Sequence, residues 1–148
     1  MVSTAMVLMR KAPEAPSVVK ALGGARDGVY VQTLNGGLSG LYRLAPDGRK
    51  TEVKLPFEGS IAFIATDPLA DGCWFQIEGW VRPPVLCHAA PDGTVTVTDI
   101  APKPAIDVSP YDSVEVRVKA RDGAMVPLSI LYAKNLKRDG KAPLLLDA

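Results

Sequence analysis

The 148 residues carry 17 Lys and Arg against 16 Asp and Glu, a formal net charge of +1, and the two signs are interleaved along the chain. That length predicts a single domain able to bury a core, and the balance excludes a nucleic-acid arm or an acidic-substrate funnel, which need charge of one sign gathered together. The apolar patch Ala5–Met9 has no basic residue before it and is too short for a signal peptide or a membrane helix, so a soluble chain without nucleic-acid or membrane partners is expected.

Residues 1–16 read as a poorly ordered lead-in or a strand fragment. From Ser17 onward the signals are those of strands. "GVYVQTL" (Gly28–Leu34), "SGLYRLA" (Ser39–Ala45), "KTEVKL" (Lys50–Leu55), "SIAFIAT" (Ser60–Thr66), "GCWFQIE" (Gly72–Glu78), "PVLCHAA" (Pro84–Ala90) and "VTVTDI" (Val95–Ile100) are short and bounded by Gly, Pro, Asn or Asp. They are rich in β-branched or aromatic residues, which fit a pleated surface. Asn35-Gly36-Gly37 predicts a tight hairpin, and Pro46-Asp47-Gly48 and Pro91-Asp92-Gly93 are turn tripeptides. No apolar period of 3.6 residues is sustained here, so the class is all-β.

The spacing of the turns adds an architecture. Asp27-Gly28 and Asp71-Gly72 open strands 44 residues apart, Pro46-Asp47-Gly48 and Pro91-Asp92-Gly93 lie 45 apart, and Leu55-Pro56 and Ala101-Pro102 lie 46 apart. A period of about 40–50 residues holding about four strands is the signature of a β-propeller blade. Two blades are predicted, over 17–58 and 59–103. Blades bury their faces against neighbours, and propellers have about 4–8 of them, so two alone leave faces open to water.

Beyond the Pro-rich connector Ala101–Pro110, which overlaps a linker read at 104–112, the pattern changes. "SVEVRVKARDGAMVPLSILYAKN" (Ser113–Asn135) predicts a long hairpin around Arg121-Asp122-Gly123. Val114, Val116 and Val118 fall on one face of its first arm, and Glu115, Arg117 and Lys119 on the other. A turn in "LKRDGKAP" then leads to "LLLDA", an unalternated run suited to a strand buried on both faces of an α/β sheet. Residues 113–148 are thus expected to be the first strands of a truncated second domain.

The stretch "VKARDGAMVPLSILYAKNLKRDGKAPLLLDA" resembles the point where the propeller of the prolyl oligopeptidase family of serine peptidases joins its α/β-hydrolase domain. The likeness lies in an Arg-Asp-Gly turn, an apolar strand with an early Pro, a Lys-X-Leu-Lys-X-Asp-Gly loop and a Pro-led apolar strand. "DGVYVQTLNGGLSGLYRL" and "GSIAFIATDP" resemble the last two blades, so that the likeness spans about residues 20–148. It implies that "LLLDA" runs into a Tyr-Gly-Gly type turn that helps form an oxyanion hole. The nucleophile elbow G-x-S-x-G and the Asp and His of a triad would follow further on. Ala148 then looks like a cut, and the parent enzyme would act on short proline-containing peptides.

Candidate chemistry within the segment is thin, and no catalytic, cofactor-binding or metal-binding residue is assigned. His88 is the one histidine and no G-x-S-x-G is present; "GGLSG" (Gly36–Gly40) has its serine at the wrong spacing. Cys87 and His88 are adjacent on a strand, so they point to opposite faces and form no pair. Cys73 and Cys87 lack metal-site spacing and read as reduced, packed thiols, hence a cytoplasmic compartment. Trp74 and Trp80 could form a ligand shelf, although blade packing explains Trp74, and "WVRPP" with Arg82 reads as a blade turn. Two functions from different classes remain. One is a non-catalytic segment of a prolyl-oligopeptidase-like peptidase, inactive alone. The other is a stand-alone β module that binds a protein or peptide partner through its open faces, self-association included.

Overall fold

The computed structural model describes residues 17–100 and 104–147; the lead-in expected at 1–16 lies outside the described residues. Ten strands and no helix are found among them. The chain divides into two compact units between Lys103 and Pro104, and no described helix is long and apolar enough to cross a membrane.

The first unit holds two four-stranded antiparallel sheets, each a meander in chain order. One comprises β1 (Val18–Ala25), β2 (Gly28–Asn35), β3 (Leu38–Leu44) and β4 (Lys50–Glu52); the other comprises β5 (Ser60–Ala65), β6 (Cys73–Gly79), β7 (Arg82–Ala89) and β8 (Val95–Val97). These are the two blades expected from the turn spacing. The tripeptide turns share one device, in which the Asp carboxylate accepts the amide two residues on: Arg49 N–H to Asp47 at 2.9 Å and Thr94 N–H to Asp92 at 2.9 Å. In both sheets the register slips once in the first pairing, between Val19 and Ala21 and between Ile61 and Phe63.

β1 carries little strand signal because "VVKALGGA" holds two adjacent glycines, which weaken a strand. The neighbouring blade explains one of them: a Cβ on Gly23 would sit 2.8 Å from Thr66 Oγ1. β4 and β8 are shorter than the runs "KTEVKL" and "VTVTDI" suggest, with three residues each.

The core lies between the two sheets. Alternation puts Tyr30, Gln32, Leu41 and Arg43 on one face of β2–β3, because Tyr30 pairs with Arg43 and Gln32 with Leu41. Against them pack Cys73, Phe75, Ile77, Cys87 and Ala89 from one face of β6–β7, all fully buried. The inter-sheet layer is the hydrophobic centre of the unit, so each blade depends on the other for burial.

The second unit contains one hairpin, β9 (Tyr111–Lys119) and β10 (Met125–Ala133), turning at Arg121-Asp122-Gly123 as expected. Val114, Val116 and Val118 pair with Ile130, Leu128 and Val126, giving the ribbon one apolar face. The Leu144–Leu146 run pairs with no strand among the described residues, and its side chains are 71–93% exposed. A run of that pattern buries both faces only between flanking strands and covering helices, and the described residues supply neither.

Phe75→Ala removes the largest apolar side chain of the inter-blade layer and is expected to cost about 3–5 kcal/mol. Urea unfolding followed by near-ultraviolet and far-ultraviolet circular dichroism should show both sheets of the first unit lost in one transition.

Candidate functional site

The densest polar constellation in the described residues forms where the two blades meet, at the turn between β1 and β2. Asp27 is almost wholly enclosed, its side chain 7% exposed. One carboxylate oxygen accepts the Gly72 amide of the second blade at 2.9 Å. The other accepts the Tyr30 hydroxyl at 3.0 Å and Arg43 Nε–H at 2.5 Å. The Arg43 guanidinium also donates to the Asp27 carbonyl and, across the seam, to the Pro91 carbonyl at 3.1 Å. The turn between β1 and β2 is further tied across by Arg26 N–H to the Ala70 carbonyl at 3.0 Å and by a two-pronged Arg26–Asp71 ion pair.

Gly72 is required at this joint. Its φ is +90°, and a Cβ there would lie 2.5 Å from His88 Nε2 and 2.6 Å from the Ala89 carbonyl. At the other end of the strands Gln32 Nε2–H donates to the Ile61 carbonyl at 2.8 Å, and Ser39 Oγ accepts Ile61 N–H at 2.9 Å. The blades are therefore fastened at both ends, with apolar packing between.

The electrostatics follow from burial and from the bonds that tie the blades together. Burial alone would raise the Asp27 carboxyl, but the bonds from Gly72, Tyr30 and Arg43 outweigh it and hold the group below the usual carboxylate range. Burial, reinforced by the ionised Asp27 beside it, raises the Tyr30 hydroxyl well above its ordinary value. Burial pushes the Cys73 thiol up to about 11 and raises Cys87 as well. At neutral pH the carboxylate is committed to its donors, and the phenol and both thiols keep their protons.

The residues weighed in the sequence are dispersed. His88 stands on the far face of β7 from the fully buried Cys87, as adjacent strand positions require. Its ring lies 4.8 Å from that of its cross-strand partner Trp74, tilted by 55°. Trp80 is 71% exposed at the hairpin tip between β6 and β7, and Arg82 is exposed at the start of β7. Trp74 and Trp80 thus lie on the open face of the sheet and at the tip of its hairpin. Ser39 is spent on the blade seam, and Ser129 pairs with Glu115 in the second unit. Asp27, Tyr30 and Arg43 were not marked by the sequence as partners. The one available signal was Asp27-Gly28 recurring as Asp71-Gly72.

Asp27→Asn leaves the Arg43 guanidinium buried without its counter-charge and is expected to cost about 3 kcal/mol at neutral pH. Because folding lowers the Asp27 pKa, its stabilisation is complete above the unfolded carboxylate value of about 3.9 and is lost as pH falls through the folded one. Urea midpoints measured from neutral pH down into acid should fall more steeply for the native chain than for the Asn variant.

No family model matches the chain. Two curated relatives do. The prolyl endopeptidase of Elizabethkingia meningoseptica is 27% identical over 96 residues, covering 64% of this chain and 13% of the relative. That of Elizabethkingia miricola is 26% identical over 95 residues, covering 64% and 14%. Solved structures share the fold: prolyl oligopeptidase B from Galerina marginata has a TM-score of 0.72 at 17% identity over 87% of this chain, and a post-proline cleaving enzyme from Rickettsia typhi 0.63 at 19% over 88%. The chain spans 19% of each of those structures and less of the curated relatives. In sequence and in fold, these residues are similar to a short stretch of the prolyl oligopeptidase family of serine peptidases.

Proposed function

We propose that this chain serves as propeller blades and domain junction of a prolyl-oligopeptidase-like serine peptidase that cleaves short peptides after proline. The observation that carries the reading is the agreement of a likeness in sequence with one in fold. A pair of four-stranded blades is joined through a shared core, and the sequence aligns with prolyl endopeptidases. In this role residues 17–58 and 59–103 are the blades, 104–112 the linker, whose last two residues already belong to β9, and 113–148 the entry to the hydrolase domain. The blades contribute shape and size exclusion, and the segment supplies none of the catalytic atoms: a hydrolytic triad needs nucleophile, base and orienter within hydrogen-bond reach, and His88 has Trp74 beside it.

Sequencing the coding DNA past codon 148 tests the proposal; a Tyr-Gly-Gly turn followed by G-x-S-x-G is expected, and a reading frame without them would refute it. The isolated chain should hydrolyse no prolyl peptide and take no label from a serine-directed fluorophosphonate, whereas labelling at Ser39 or Ser129 would overturn the non-catalytic assignment.

A further inference from the structure

The loop after β10, "KNLKRDG" (Lys134–Gly140), reaches back to the connector that precedes the hairpin. Its first residue makes two bonds there. Lys134 N–H donates to the Pro110 carbonyl at 2.9 Å, and Lys134 Nζ donates to the Ser109 carbonyl at 2.8 Å. Two consecutive carbonyls of the connector are therefore taken by one residue, 25 positions after Ser109.

The two bonds differ in kind. The first continues the antiparallel ladder beyond the Ala133–Tyr111 pair, so any residue at position 134 except proline could make it. The second needs a long side chain that ends in a donor. The carbonyl it takes has no ladder to join. Ser109 lies in a turn, closed by Tyr111 N–H on the Val108 carbonyl at 3.0 Å and by Ser109 N–H on the Asp107 carboxylate at 2.9 Å. An inner carbonyl of a turn takes no part in the turn's own bond and is left to water or to a side chain.

Lys134 is itself held in place. Leu136 N–H on the Ala133 carbonyl at 2.9 Å turns the chain directly after β10, and the Arg138 guanidinium lies 5.0 Å from the Tyr132 ring. The ammonium thus meets the connector from a fixed backbone. The first Lys of the Lys-X-Leu-Lys-X-Asp-Gly loop has a physical task that the sequence did not disclose.

We propose that Lys134 is a positioning residue that clasps the connector to the hairpin, so that Asp107–Tyr111 folds as part of the second unit and only 104–106 of the expected linker remains outside the clasp. Every contact invoked lies inside that unit, Pro104–Ala148, and none depends on the peptidase reading, so either can fail alone.

Amide hydrogen exchange of the full chain, read residue by residue by NMR, tests it with Lys134→Met and Lys134→Arg. Methionine keeps the apolar stem and the backbone bond and removes the side-chain donor, whereas arginine keeps a charged donor. In the Met variant the Ser109 and Tyr111 amides should exchange roughly three- to tenfold faster than in the native chain, the range that matches the net worth of one hydrogen bond. Amides in the middle of β9–β10 should keep their native rates, and the Arg variant should restore most of the protection. Native-like exchange at Ser109 and Tyr111 in the Met variant overturns the proposal, as does a native chain unprotected at both. So does acceleration of the whole hairpin together with them, or an Arg variant that restores nothing.

Discussion

A carboxylate and a guanidinium removed from water destabilise a fold unless each of their polar atoms finds a partner. Asp27 and Arg43 meet that condition only because two blades are present. Within their own sheet they hold each other and the Tyr30 hydroxyl; the remaining valences go to the Gly72 amide and the Pro91 carbonyl of the next sheet. The charge pair thus specifies how the second sheet approaches the first, and the apolar layer of Phe75, Ile77 and Leu41 forms in the register it dictates. Burial supplies the larger driving force and the polar joint supplies the alignment.

Two cross-strand pairs at corresponding places of the blades, Tyr30 with Arg43 and Trp74 with His88, have two environments in this chain. Covered, the pair uses Tyr and Arg, whose hydroxyl and fork of donors can be fully satisfied at the seam. Less covered, it uses Trp and His, their rings in tilted contact. Stability in such arrays is a sum of intrinsic blade terms and interface terms between neighbours, and the two sheets here share a single interface. The hairpin β9–β10 is a smaller case of the same problem. Two strands cannot bury the face lined by Val114, Val118, Val126 and Ile130, each 38–48% exposed.

The strands and turns were legible in the chain because their causes are local. β-branched and aromatic residues occur in short runs, and Asp-Gly turns carry their own hydrogen bonds. β1 was harder to read because Gly23 answers to Thr66, far along the sequence. The joint escaped for a related reason. Arg43 sits in "LYRL" as a plain outward charge would, and Asp27 reads as a strand opener. Only the fold brings residues 16 and 45 positions apart onto one carboxylate. The leucines at 144–146 show the converse. A pattern can read as a buried strand and yet form none where the partners that would pair with it are absent from the described residues.

The slips of register in β1 and β5 have a geometric consequence. An extra residue on one side of an antiparallel pair bends the strand and increases its right-handed coil. Two flat sheets would stack as parallel plates and could extend in a straight line. Sheets that begin with the same distortion at the same point turn each successive layer through a similar angle. Val19–Ala21 and Ile61–Phe63 therefore place the same bend and added twist at the same point of each sheet, once per unit of sequence.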